Sequence, residues 1–225
     1  MHGKLIVIEG TDGSGKATQS GQLVNRLKAE GVNVRKVDYP NYQSQSSALV
    51  KMYLNGEFGN RPEDVNAYAA SAFYAVDRIA SYKKEWEKFY LSGGIVIADR
   101  YTTSNMIHQA AKIRDRAGKE AYLTWLWDFE FIKCGLPVPD KVIFLAMPPA
   151  VSQELMRGRE NKTGGIKDIH EQSSEYLSYC FTNACDIADA YDWHKVACIH
   201  KGQVKTIEQI HSEIYPIVNE IIGRA

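Results

Sequence analysis

The sequence predicts an α/β fold, a five-stranded parallel sheet with helices on both faces. Five short apolar runs carry the expectation: KLIVIEG (4–10), VNVRKVDY (32–39), GIVIAD (94–99), KVIFLAM (141–147) and HKVACIH (194–200). Near-continuous apolar strands of that length suit a parallel sheet covered on both faces. The stretches between them have helical character, which gives the alternation of βα units.

The first connection, KATQSGQLVNRLKAEG, puts Leu23, Val24 and Leu27 on one helical face and stops at Gly31, a residue suited to a helix C-terminus. The longest helix is expected over 63–91, opening after Pro62 with Glu63 and Asp64 in its first turn, where acids favour the helix dipole. Its segment YKKEWEKFY (82–90) is mixed in charge and is expected to be the solvated outer end. Further helices are expected at 103–113, 119–134, 149–158, 168–190 and 206–222. The segment RGRENKTGGIKD (157–168) breaks the pattern, with two arginines, two lysines and a Gly-Gly pair. It predicts a cationic loop, either a solvated charged surface or a lid that closes and excludes water.

The 225 residues, 44% hydrophobic and 24% charged, suit a single domain over 1–225. Lys plus Arg and Asp plus Glu both number 27, so no basic excess points to nucleic acid as a partner. Cys134, Cys180, Cys185 and Cys198 have no paired spacing, which predicts neither zinc nor a disulfide framework and favours a reducing cytoplasm. The first apolar run ends at Glu9, far short of a membrane span, and has no cleavage pattern. A protein without membrane attachment is expected.

The motif IEGTDGSGKATQ (8–19) nearly spells G-x-x-x-x-G-K-[S/T], with Gly10, Gly15 and Lys16 in place. It follows a strand and opens a helix. In that setting the amides of Gly10, Thr11, Gly13, Ser14, Gly15, Lys16, Ala17 and Thr18 can surround phosphate oxygens while Lys16 reaches the β- and γ-phosphates. The competing reading is an ordinary strand-to-helix turn, and the buried-type strand before it makes chance the weaker choice. GIVIADRY (94–101) ends in Asp99 and Arg100. An acid at that strand end can hold Mg²⁺ or its waters, or simply cap the next element. The cationic segment offers Arg157, Arg159, Lys162 and Lys167 to the charge of a transferring phosphoryl group.

Together with YP (39–40), LNGEFG (54–59), FYAVDR (73–78), DRYTTSN (99–105) and DIHEQSSEYL (168–177), this motif resembles thymidylate kinase over nearly the whole chain. The resemblance implies the P-loop NTPase and nucleoside monophosphate kinase fold. It also implies transfer of the γ-phosphate of ATP to dTMP with Mg²⁺, and a homodimer. Tyr74 matches the aromatic residue that stacks on thymine, while Arg78, Ser104 and Asn105 match residues addressing the base. Arg100 matches the clamp on the acceptor phosphate, and Asp12 the loop carboxylate near the acceptor. Tyr39 and Tyr42 fall beside that phosphate, Glu171 matches an acidic residue at the lid's end, and Arg157 and Arg159 are the candidates for a catalytic arginine. On the residues alone, Phe73 and Tyr74 could both be packing residues, and Glu171 an ordinary early-turn acid.

The departures are specific. Ala17 lacks the metal-binding hydroxyl, which puts more weight on Asp99, phosphate oxygens and water. Asn41 and Tyr42 stand where many relatives carry arginine. His108 replaces a tyrosine that disfavours a ribose 2′-hydroxyl. The rivals are a kinase for another acceptor, such as dUMP, dGMP or a nucleoside, and a nucleotide-dependent switch.

Overall fold

The computed structural model describes residues 2–163, 169–170 and 173–224, and of 157–163 the backbone alone. At its centre lies β1 (Lys4–Glu9), whose side chains alternate between two cores. Leu5 and Val7 enter one cluster, Ile6 and Ile8 the other, because successive residues of a strand point to opposite faces. α1 (Lys16–Ala29) follows, burying Leu23, Val24 and Leu27. It ends as Gly31 adopts a positive φ of 78° and Val32 N–H donates to Leu27 O at 2.9 Å, a closure that a side chain at position 31 would strain.

β2 (Val34–Asp38) and β3 (Ile95–Asp99) lie to one side of β1, with β4 (Lys141–Ala146) and β5 (His194–Ala197) to the other. The order β2-β3-β1-β4-β5 is parallel throughout. The five predicted strands are thus present. The last is shorter than expected, because the chain turns back after Cys198 and pairs β6 (Ile199–His200) with β7 (Gln203–Val204) in an antiparallel hairpin. Its two turn residues, Lys201 and Gly202, both have positive φ, the geometry that two-residue hairpins favour.

The expected helix over 63–91 is divided. Pro62–Asp64 forms a single 3₁₀ turn. α2 (Ala48–Leu54) precedes it, and α3 (Ala67–Ser81) begins only where Asn66 Oδ1 accepts from Ala69 N–H at 2.9 Å, a side-chain cap. A π turn at Tyr82–Trp86 leads into α4 (Glu87–Leu91). The stretch 82–90, expected to be solvated, in fact buries Tyr82, Trp86 and Tyr90. These aromatics recur every fourth residue and form one helical face against the sheet, while lysines and glutamates fill the outer face.

α5 (Thr102–His108) continues into a 3₁₀ turn at Ala110–Lys112, and α6 (Arg116–Trp127) into a π turn at Asp128–Lys133. α7 (Pro149–Thr163) runs five residues beyond the expected end at 158. α8 (Ser174–Ala190) starts later than 168, where Ser173 Oγ accepts from Tyr176 N–H at 3.2 Å. α9 (Ile207–Ile221) opens on a capping box of Thr206 and Gln209. α1 and α9 cover one face of the sheet, whereas α5, α6 and α8 cover the other.

Candidate active site

The register Ile8↔Asp99 between β1 and β3 brings two strand ends together at the C-terminal edge of the sheet. That edge is where open parallel sheets bind ligands. The loop leaving β1 is shaped for anions. Gly10, Gly13 and Gly15 have positive φ, and Gly15 occupies the N-cap of α1 with no side-chain cap on the helix amides. A Cβ at Gly13 would come within 2.6 Å of Ser152 O and 2.9 Å of Met156 Cγ, so this turn packs flush on α7. Lys16 is buried and donates from Nζ to Thr11 O at 2.8 Å. Burial and the neighbouring Arg100 lower its pKa to about 8, against the pull of Asp12, Asp99 and Glu9. Ala17 and Thr18 are exposed at the first turn of α1.

Arg100 joins this loop to a second cavity. Its φ of 67° is a left-handed conformation uncommon for a side-chain-bearing residue, and it directs the guanidinium back over the loop. Nη1 lies 3.3 Å from Gly10 O, 3.2 Å from Ser104 Oγ and 3.2 Å from His108 Nε2, while Nη2 donates to Asp12 Oδ1. Guanidinium groups only donate, so His108 accepts through Nε2. Burial and then Arg100 push the His108 pKa well below its ordinary value, and the ring is neutral. Burial works to raise the Asp12 pKa, but Arg100 and Lys16 overcome it and hold the carboxyl well below the usual range. Burial likewise opposes charge on Arg100, yet Asp12, Glu9 and Asp99 raise its pKa.

Glu9, absent from the expected site, anchors this arrangement. It is fully buried, accepts from Gly10 N–H at 3.0 Å, Thr103 Oγ1 at 2.8 Å and Ser104 Oγ at 2.9 Å, and lies 3.6 Å from Arg100. An acid closing an apolar strand just before a glycine loop was the available signal, since such a buried charge needs several partners.

Asp12, Tyr42, Tyr74, Arg100, Ser104, Asn105 and His108 line one pocket, joined by Pro40, Leu54, Gln109 and His170. Phe73 packs instead on Tyr53 and Phe58, which divides the Phe-Tyr pair between core and pocket. His170 and Gln109 are pocket residues that sequence reasoning also missed; His170 neighbours Glu171, which lies outside the described residues. The same holds for the side chains of Arg157, Arg159 and Lys162, for Lys167, and for 164–168 of the lid expected over 157–168.

Two expected residues are not brought to this pocket. Tyr39 is buried, and its hydroxyl accepts from Trp86 Nε1 at 2.9 Å. Arg78 is buried and forks onto Glu130, with Nε at 2.7 Å and Nη2 at 2.6 Å from the carboxylate oxygens. Asn105 and Thr102 also donate to Glu130, at 3.3 and 2.7 Å, so Arg78 supports the pocket floor through α5. Glu130→Ala strands a buried guanidinium and is expected to cost about 3–5 kcal/mol in urea unfolding. The double variant Arg78→Met/Glu130→Leu should recover most of that. A single-variant loss below about 1 kcal/mol would contradict the pairing.

Asp99 is buried at the end of β3, accepts from Ser20 Oγ at 3.4 Å, and lies 3.9 Å from Lys36 Nζ. Among the described residues no group of three His, Cys, Asp or Glu forms a metal cluster.

The family model for thymidylate kinase matches residues 8–214. Thymidylate kinase of Mycobacterium tuberculosis (strain ATCC 25618 / H37Rv) is 34% identical over 173 residues, covering 76% of this chain and 79% of that protein. Thymidylate kinase of Plasmodium falciparum (isolate 3D7) is 27% identical over 224 residues, covering 97% and 91%. The solved structure of thymidylate kinase from Candida albicans has a TM-score of 0.72 at 22% identity, covering 98% of this chain and 94% of that one, a likeness of fold.

Proposed function

Since the chain belongs to the thymidylate kinase family, we propose that the loop 10–18 holds ATP and that the pocket bordered by Asp12 and Arg100 holds dTMP. The activity is that of the family, ATP-dependent phosphorylation of dTMP to dTDP. The observation that carries the assignment of roles is the Arg100–Asp12 pair, which belongs to the phosphate loop and to the second pocket at once.

The acceptor is already an anionic phosphate, so positioning and charge neutralisation do most of the work. Lys16 and the loop amides take the triphosphate. Arg100 takes the acceptor phosphate, Tyr74 stacks on the base, and Ser104 and Asn105 supply polar groups at the pocket wall. Asp12 stays ionised and keeps Arg100 aimed. Arg157 or Arg159 supplies the further positive charge at the transferring group.

Asp99, with the phosphate oxygens and water, would hold Mg²⁺. The ion neutralises charge on the β- and γ-phosphates when bound. Ala17→Ser is expected to lower the Mg²⁺ concentration for half-maximal activity and to tighten Mg²⁺-dependent ATP binding in calorimetry, leaving the KM for dTMP unchanged. A shift in dTMP KM with no change in Mg²⁺ dependence would contradict this placement.

Family likeness also supports a homodimer, with the exposed Tyr68 and Val76 of α3 available to it, and a cytoplasmic site of action. Among the described residues no helix is long and apolar enough to cross a membrane.

A further inference from the structure

Behind the dTMP pocket a polar chain runs from the turn after α5 to His170. Lys112, half-buried, donates from Nζ to Tyr53 Oη at 2.9 Å and to Val65 O at 2.9 Å, and its ammonium stands 5.0 Å from the centre of the Tyr53 ring. Tyr53 Oη is 2.9 Å from His170 Nε2. His170 in turn lines the pocket, its ring stacked 6.0 Å from His108 at 15° and tilted against Tyr176 at 5.0 Å. Among the described residues no carboxylate lies within ion-pair distance of Lys112. A partly buried ammonium without a counter-ion is costly, and here one of its two hydrogen bonds goes to a backbone carbonyl and the other to a tyrosine that touches a pocket residue.

We propose that Lys112 is a positioning residue for the acceptor site, fixing the His170 imidazole in the pocket wall through the Tyr53 hydroxyl. dTMP affinity then depends on a lysine that does not touch dTMP. The proposal rests on the reading of this pocket as the dTMP site.

The arrangement has a pH signature. Burial lowers the Lys112 pKa to about 7, with Glu63 of the Pro62–Asp64 turn opposing it and Cys180 of α8 also facing it. Burial holds His170 near 3, with Lys112 adding to the effect, raises Cys180 to about 12, and raises Tyr176 well above its ordinary value. As pH rises through 7, Lys112 loses its charge and its bonds to Tyr53 and Val65 O change from charge-assisted to neutral. The chain loosens and dTMP binds less tightly.

The test is steady-state kinetics at saturating Mg-ATP between pH 6 and 8.5, on the full chain, for wild type, Lys112→Met, Tyr53→Phe and Arg100→Ala. The wild-type KM for dTMP is expected to rise about fivefold more across this range than that of Lys112→Met or Tyr53→Phe. Lys112→Met and Tyr53→Phe should start at the raised KM, with kcat within about twofold of wild type. Titration of Lys16 and of the dTMP phosphate is common to wild type, Lys112→Met and Tyr53→Phe and cancels in that comparison, whereas Arg100→Ala, which also changes the surroundings of Lys16, is compared with wild type only in its dTMP KM at one pH. If Lys112→Met fails to fold, Tyr53→Phe decides, because it keeps the lysine and the ring and removes only the hydroxyl. Wild-type KM and pH profile in both variants, or a fall in kcat at unchanged KM, would overturn the proposal. A normal dTMP KM in Arg100→Ala would instead overturn the pocket reading beneath it.

Discussion

Lys16→Ala is expected to lower kcat by about 10³-fold or more, equivalent to about 4 kcal/mol of lost transition-state stabilisation, while the folded state survives. The ammonium sits buried against Thr11 O, where burial and Arg100 together depress its pKa. On the proposed reading a triphosphate entering the loop adds an anion directly at this lysine, beyond the more distant pull of Asp12, Asp99 and Glu9, and the interaction strengthens as charge builds on the transferring group. Alanine removes that charge without emptying a packed core. Stopped-time assays of dTDP formation, with circular dichroism to verify folding, measure the effect; near-normal turnover would remove the loop from the chemistry.

Arg100→Ala should act on the acceptor side, lowering kcat/KM for dTMP by about 10²-fold or more. Two losses combine in this variant. On the proposed reading the acceptor phosphate loses a charged donor, and Asp12 and Glu9 lose the cation that their charges require. Arg100→Lys keeps the charge but not the planar fork, and is expected to recover only part of the rate. Titrating dTMP at saturating ATP, and ATP at saturating dTMP, separates the sites. A defect confined to the KM for ATP would contradict the placement of Arg100.

Much of this was legible in the chain because short-range pattern decided it. The five apolar runs became five parallel strands, and the glycine loop fell where a strand-to-helix turn was expected. The stretch 82–90 misled because its lysines and glutamates dominate the composition, while the four-residue spacing of Tyr82, Trp86 and Tyr90 decides which face is buried. Residues that pair across long separations left little local trace, Glu9 excepted, whose place at the end of an apolar strand before a glycine loop was a signal. Arg78 meets Glu130, 52 residues away, and is drawn under the pocket floor rather than into it. Glu9 meets Arg100 only because β1 pairs with β3, and His170 meets Tyr53 of α2 from 117 residues away.

The most direct measurement is ADP release with Mg-ATP against a panel of nucleoside monophosphates. Turnover with dTMP well above that with dUMP and GMP, and little release without an acceptor, is the predicted result, since the proposed acceptor pocket lies beside the phosphate loop. ATP hydrolysis at the same rate with and without dTMP would contradict the account and leave that pocket without its role.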